Sequence, residues 1–342
     1  MKILYLVTNF HLTGGKGRYD KNLIQELGEN EEGVRVVMLK GPGFLEKTLF
    51  IARIMLRCLT KRWDFVFCAH IPFAPLCFFF SKIFGFKYIV IAHGIEAWGI
   101  KGKWQRKALE EASIIIAVSE YTRKRIIEQF PKTEDRIFML PNSVNGELFT
   151  IKEKSKPLIQ KLGLDGAKII LTVSRLYPAE RDKGYYKVIG ALPLLKEKSL
   201  SVKYIIVGSG SKNFGDARNE ILVYAQKKGV IDNVILPGFV SDKDLVDYYN
   251  LCDVFIMPSK QEGFGIVFAE ALACGKPVIV GNKDASREAI MNGELGLLVD
   301  PENVEKIAEA LAHILRKEAP KHFFDREFLR KKSFRRIWNG QI

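Results

Sequence analysis

Two glutamates, Glu262 and Glu270, stand eight positions apart in "SKQEGFGIVFAEALACGKPVIV", residues 259–280, on either side of a glycine-punctuated turn. Val267, Ala271 and Cys274 recur near the 3.6-residue period of a helix, and Gly275 with Pro277 stops it. A helix that begins near Gly265 leaves the amides from Gly263 to Val267 without intrahelical partners. Such an end attracts an anion, favourably a phosphate. A carboxylate beside a phosphate is repelled, so the pair makes chemical sense if each glutamate accepts hydrogen bonds from hydroxyls on the same ligand. Phosphate plus hydroxyls describes a sugar nucleotide.

Three further stretches carry groups that suit such a ligand. In "TGGKGRY", residues 13–19, Gly14 and Gly15 let backbone approach a ligand at the carboxyl end of a first strand. A dinucleotide fingerprint needs a third glycine three positions after Gly17, and Asp20 stands there, which argues against NAD. A plain turn is the alternative. In "SRLYPAERDKGY", residues 174–185, Arg175 as a fork and Lys183 as a point charge suit a diphosphate, with Arg181 a competitor and a merely solvated basic loop the alternative. In "AHG", residues 92–94, His93 follows a strand and precedes a flexible glycine, a position for a site residue or for a structural histidine. His11, His70, His313 and His322 have no matching partners in the sequence. "SDKDL" offers Asp242 and Asp244 as carboxylates for a divalent cation. Ser241 followed three residues later by Asp244 fits a helix capping box instead, so no metal is expected.

The elements that must position these groups alternate along the chain. "KILYLV", "VRVVML", "DFVFCA", "KYIVIA", "SIIIAVS" and "RIFML" are short apolar runs separated by helical stretches, the pattern of a parallel sheet covered on both faces. The polar, lysine-rich stretch 142–166 interrupts it and reads as a domain connection. The pattern resumes with "KIILTVS", "SVKYIIVG", "VILP", "DVFIMPS" and "KPVIVG". Two Rossmann-like α/β domains are expected, at 1–145 and 146–320, followed by an amphipathic helix at 321–342 that packs back on the protein.

Bulk composition narrows the class. With 342 residues, 47% of them hydrophobic and 27% charged, the chain suits a globular protein of about two domains rather than a disordered one. "MKILYLVTNF" fits a first buried strand better than a signal peptide, and no apolar run approaches the roughly 20 residues of a membrane helix. Five cysteines, Cys58, Cys68, Cys77, Cys252 and Cys274, show no Cys-x-x-Cys spacing, which favours a reducing cytoplasm over disulfides or structural zinc. The net charge of +14 divides as +8 over 1–145, +1 over 146–320 and +5 over 321–342. A basic first half points to an anionic partner or simply to a solubilising surface. Residues 43–63 combine Phe44, Leu45, Leu49, Ile51, Leu56 and Trp63 with Lys47, Arg53, Arg57, Lys61 and Arg62, which suits either a helix on an anionic membrane or a buried helix with a basic edge.

Taken together, "EGFGIVFAE", the "SRL...KG" loop before it and "GFVSDKDLVDYYNLCDVFIMPS" leading into it resemble the retaining glycosyltransferases of the GT-B fold, in family GT4. That family includes bacterial phosphatidylinositol mannosyltransferases and lipopolysaccharide glucosyltransferases. The resemblance covers nearly the whole chain and is strongest from about 168 to 300. It implies two Rossmann-like domains facing each other across a cleft, with the last helix returning to the first domain. It implies that Glu270 binds the ribose hydroxyls and Glu262 a hydroxyl of the transferred sugar, while the amides of Gly263, Phe264, Gly265 and Ile266 meet sugar and phosphate. Arg175 and Lys183 match the diphosphate pair, His93 the histidine on the sugar, Gly14 and Gly15 the loop over the phosphate, and Phe239 and Val240 the backbone near the base. "LPNSVN" and "NKDASRE" depart from the family's patterns at Ser143, Asn145 and Ala285.

The function expected on these grounds is retaining transfer of a hexose from a UDP-, GDP- or ADP-sugar to a hydroxyl of a glycan, lipid-linked or small-molecule acceptor, with no metal or other cofactor and with His93, Glu262, Arg175 and Lys183 as the catalytic set. Partners would be donor, acceptor and an anionic membrane surface, not nucleic acid, and the location the cytoplasm at the inner face of the membrane. A sugar-nucleotide epimerase of the same fold, or a basic membrane- or nucleic-acid-binding module without turnover, are the other readings. Double displacement would need a carboxylate from the first domain, for which Glu96 is the nearest candidate.

Overall fold

The computed structural model describes residues 1–8, 14–28, 33–211 and 214–316. Thr13, His11, His322 and the helix expected at 321–342 lie outside the described residues. The chain divides into two compact units, Met1–Ser143 forming the first and Val144 opening the second.

The first unit runs β1 (Ile3–Thr8), α1 (Gly15–Leu27), β2 (Val34–Leu39), α2 (Phe44–Thr60), β3 (Phe65–Cys68), α3 (Ala74–Phe84), β4 (Lys87–Ala92), α4 (Lys103–Glu110), β5 (Ile114–Ala117), α5 (Glu120–Gln129) and β6 (Ile137–Met139). Its sheet has the order β2-β1-β3-β4-β5-β6, and every pairing is parallel. The unbroken apolar runs follow from this topology, because helices cover both faces and neither face needs polar residues. Side chains alternate between the faces. Leu4 and Leu6 enter a core with Val66, Val90 and Ile115, closed by Phe50 and Ile54 of α2, Cys77 of α3 and Leu109 of α4. Tyr5 faces the other way, where its hydroxyl meets Asp20 of α1.

The second unit runs α6 (Lys156–Leu162), β7 (Lys168–Val173), α7 (Tyr185–Glu197), β8 (Val202–Val207), α8 (Arg218–Lys227), β9 (Val234–Gly238), α9 (Asp242–Leu251), β10 (Val254–Met257), α10 (Ile266–Ala273), β11 (Val278–Gly281), α11 (Ser286–Ala289), β12 (Leu297–Val299) and α12 (Val304–Arg316). The sheet order is β12-β11-β10-β7-β8-β9, again all parallel. Val188 and Leu192 of α7, Ile221 of α8 and Leu311 of α12 bury against one face, with Ile170, Ile206 and Ile256. On the opposite face the Phe255 ring meets Tyr249 of α9 and Phe268 of α10, each at 5.7 Å between centroids. The stretch 142–166 differs from the plain connection expected of it, because it holds α6. Pro157 in the first turn favours that helix, and none of its residues is buried.

Local signals are met where they were read. Ser241 caps α9 by accepting the Asp244 amide at 3.3 Å, and its hydroxyl lies 2.6 Å from the Asp244 carboxylate, the geometry of a helix cap. All five cysteines are buried and none forms a disulfide. Residues 44–60 are helical as α2, with Phe50, Ile54 and Cys58 buried while Phe44, Leu45, Leu56 and Leu59 are exposed. Among the described residues no helix is long and apolar enough to cross a membrane.

Candidate functional site

Parallel strands discharge their loops at one edge, and β10 lies between β7 and β11. The topology therefore brings the loops after these three strands side by side at the carboxyl edge of the second sheet. Gly184 makes the closest approach possible. Its φ of 83° is left-handed, and a Cβ there would lie 2.3 Å from the Pro258 carbonyl oxygen. The turn Pro178–Lys183 thus presses against the β10–α10 loop and delivers Lys183 to it.

Lys183 Nζ donates to Glu262 Oε2 at 2.6 Å and to the Gln261 carbonyl at 3.4 Å. The Lys183 side chain keeps 9% of its exposure and that of Glu262 21%, so the pair is withdrawn from bulk water yet still reachable. Arg175 is different. Its side chain is 45% exposed, pairs with Glu180 at 2.6 Å and covers the Tyr177 ring at 5.4 Å. Arg181, the competitor, turns away to Glu220 on α8.

Gly265 has φ 81° and forms the entry to α10, where any Cβ would meet the Phe268 ring at 2.3 Å. Gly263, Phe264, Gly265 and Ile266 are all buried. Glu270, one turn further, is fully buried, and its Oε2 accepts the Tyr249 hydroxyl at 2.8 Å. Phe239 and Val240 follow the edge strand β9 at the same end of the sheet, and the Phe239 side chain is exposed.

The sequence reading passed over Asp284, which had only the "NKDASRE" pattern to signal it. The Ala285 amide donates to the Glu262 carbonyl at 3.2 Å and the Ser286 amide to Asp284 Oδ1 at 2.9 Å, so the β11 loop braces the loop that carries Glu262. Burial pushes the Asp284 carboxyl up to about 6 against the hydrogen bonds from Ser286, and the charge of Glu262 adds to the rise.

In the first unit the loop leading into α1 and the turn after β4 are tied together. Gly14 caps α1 at φ 101°. Lys16 Nζ donates to Glu96 Oε2 at 2.9 Å, and the His93 amide donates to Glu96 Oε1 at 2.8 Å. Both carboxylate oxygens of the candidate nucleophile are therefore occupied in bracing. Burial pushes its carboxyl up, yet Lys16 and His93 outweigh that and hold it below the usual range. The buried His93 ring places Nε2 3.1 Å from the Ala69 carbonyl oxygen and 4.0 Å from Asp20 Oδ1, with the Tyr19 ring edge-on at 5.1 Å. His70, background in the sequence, is buried with its ring 5.7 Å from that of His93 and its Nε2 3.3 Å from the Thr8 hydroxyl. Among the described residues no three His, Cys, Asp or Glu side chains cluster as metal ligands.

The family model "Glycosyl transferases group 1" matches residues 154–327, more than half of the chain. The chain belongs to that family. A second model, "Glycosyltransferase Family 4", matches residues 13–148. Over 218 residues the chain is 30% identical to a GDP-mannose-dependent alpha-(1-6)-phosphatidylinositol monomannoside mannosyltransferase of Mycobacterium tuberculosis, covering 61% of this chain and 54% of that protein. It is 29% identical over 240 residues to the capsular polysaccharide biosynthesis glycosyltransferase CapM of Staphylococcus aureus, covering 69% of this chain and 58% of that one. The chain thus spans little more than half the length of these curated relatives. In fold it matches Anabaena HepE in complex with UDP and glucose, with a TM-score of 0.73 at 21% identity over 93% of this chain and 90% of that one. It also matches sucrose-phosphate synthase from Thermosynechococcus elongatus, at 0.77 and 18% identity over 97% and 95%. The two parallel six-stranded sheets are those of the GT-B fold.

Proposed function

We propose that this chain moves a hexose from a nucleoside diphosphate sugar to an acceptor hydroxyl with retention of the anomeric configuration. The observation that carries the reading is the Lys183–Glu262 pair, held at 2.6 Å beside the glycine-rich entry to α10. A cation and a row of orphan amides suit a diphosphate, and a carboxylate in the same loop suits a sugar hydroxyl. Arg175 adds an accessible fork at the outer side of the same edge. Gly14 and Gly15 of the first unit are assigned to the phosphate and His93 to the transferred sugar.

In the proposed reaction the acceptor hydroxyl attacks the anomeric carbon on the face from which the diphosphate leaves. The bond from that carbon to the phosphate oxygen breaks with its electron pair, and the departing oxygen takes the acceptor's proton. Lys183, Arg175 and the amides of Gly263 to Ile266 stabilise the charge that grows on it, which assigns them the work a metal ion does elsewhere. Glu270 accepts from the ribose diol. Because Glu270 is fully buried, its cover must give way when the nucleotide enters. The backbone at Phe239 and Val240 meets the base.

The relative from Mycobacterium tuberculosis is named for GDP-mannose and the Anabaena neighbour holds UDP and glucose, so UDP-, GDP- and ADP-sugars all stand as donors to be tried. A lipid-linked or glycan acceptor fits the relatives' names. The basic helix α2, with Phe44, Leu45, Leu56 and Leu59 exposed, supports contact with an anionic membrane at the cytoplasmic face.

The test is donor turnover. Incubation with a panel of nucleoside diphosphate sugars, with and without acceptor lipids and glycans, should release nucleoside diphosphate in the presence of EDTA, and NMR of the first-formed product should show a retained anomer. Release that needs added magnesium or manganese would overturn the metal-free assignment. An inverted product would overturn the mechanism, and a donor panel without any turnover would overturn the function.

A further inference from the structure

Asp20 is a carboxylate where α1 should be apolar. It lies on the inward face of the helix with Tyr19, Leu23 and Ile24, and its residue is fully buried. An acidic side chain on the sheet-facing stripe breaks the amphipathic pattern that builds such a helix, and breaks of this kind concentrate at functional positions. Asp20 Oδ1 accepts the Tyr5 hydroxyl at 2.7 Å, while Oδ2 has no hydrogen-bond partner. The same Oδ1 stands 4.0 Å from Nε2 of His93.

We propose that Asp20 is a positioning residue for His93, setting the charge that the ring presents to the transferred sugar. The inference rests on the assignment of His93 made above. The Ala69 carbonyl oxygen, 3.1 Å from Nε2, can only accept, so Nε2 carries a proton in that contact. The neutral ring is then the Nε2–H tautomer, and imidazolium forms by a second proton on Nδ1. A carboxylate 4.0 Å away in a dry setting favours that imidazolium.

Tyr19, like Asp20, reaches the ring from α1 and His70 from the segment after β3, while Glu96 holds the His93 amide from the turn after β4. Lys16 and Glu96 neutralise one another at 2.9 Å. Burial pushes the Asp20 carboxyl up to about 7, opposed by the Tyr5 hydrogen bond and by Lys16. Asp20 and His93 can therefore hold one proton between them near neutral pH, as carboxylate with imidazolium or as carboxylic acid with imidazole. A charged ring makes the stronger hydrogen bond to a sugar hydroxyl.

Asp20→Asn preserves shape and keeps an acceptor for Tyr5 while removing the charge. In the full chain, followed by proton NMR of the His93 ring, this variant should titrate about 1–3 pH units lower than the unaltered protein. The alkaline limb of its turnover should move down with it, while nucleoside diphosphate affinity stays unchanged. Carboxyl-labelled aspartate in the unaltered protein should show one signal titrating near pH 7. An unmoved His93 midpoint in folded Asp20→Asn would overturn the proposal, as would a moved midpoint with an unmoved turnover profile. Should the variant not fold, the labelled spectrum decides, and the lack of an aspartate signal titrating near pH 7, resolved from that of Asp284 near 6, overturns the coupling. These NMR results hold even where no donor turns over, so failure of the glycosyltransfer reading is seen separately.

Discussion

Lys183 and Glu262 are 79 residues apart in the chain and 2.6 Å apart in space. The contact joins the loop after β7 to the loop after β10, and each partner neutralises the other where little water reaches. A diphosphate that draws Lys183 toward itself would release the Glu262 carboxylate for a sugar hydroxyl. On that view the pair couples phosphate binding to sugar binding.

Lys183→Ala and Arg175→Ala should each weaken nucleoside diphosphate binding by about 1.5–3 kcal/mol, the range for hydrogen bonds to charged groups. The two should differ in stability. Lys183→Ala leaves Glu262 part-buried without its cation and should lower the melting temperature, and adding Glu262→Ala should restore part of the loss. Arg175 is half exposed, so its removal should leave folding nearly unchanged. Calorimetry and thermal melts check both, and affinity unchanged in both variants would remove the phosphate assignment.

Glu270→Gln should reduce affinity for a ribonucleotide more than for its 2′-deoxy analogue, because the carboxylate is assigned to the ribose diol. Tyr249→Phe should act in the same direction but less strongly, since it removes only the hydroxyl that orients Glu270 at 2.8 Å. Equal losses for both nucleotides would place the glutamate away from the ribose.

Asp284 should make stability fall as pH rises. Its carboxyl is raised from 3.8 to about 6 in the folded protein, so the folded state binds the proton more tightly than the unfolded chain. The resulting stabilisation is full below about pH 4 and is lost as pH rises through about 6. Two units correspond to about 3 kcal/mol as an order of magnitude. Asp284→Asn should therefore be more stable than the unaltered protein at pH 8 and lose that advantage at pH 4. Denaturant melts at the two pH values measure it, and a pH-independent difference would contradict the sign.

The exposed apolar residues of α2 should matter only at a lipid surface. The protein should sediment with anionic but not with neutral vesicles, and high salt should release it. Leu56→Glu with Leu59→Glu should abolish sedimentation while leaving turnover of a water-soluble acceptor intact, because neither residue enters the core. Equal sedimentation with both lipids would count against the membrane reading.

The amino-acid sequence by itself determined what is local. Unbroken apolar runs announced parallel strands buried on both faces, Ser241 and Asp244 announced a cap, and the glycines around Phe264 announced a helix entry. Each of these depends on residues within one or two turns of chain, where propensity and hydrogen-bond geometry act without help from afar. Only the tertiary structure decided which charges meet. Strand order sets β10 beside β7, and that puts Glu262 on Lys183 and leaves Arg175 to Glu180. In the first unit, Glu96, the nearest candidate for a nucleophile, is a brace between Lys16 and the His93 turn. Asp20, which the sequence offered only as a missing glycine, is a buried acid 4.0 Å from that histidine because β1 and β4 flank β3 in the sheet. The long-range contacts among these join residues 15 to 80 positions apart, and burial gives them their strength, since a charge removed from water is governed by whichever partner the fold sets beside it.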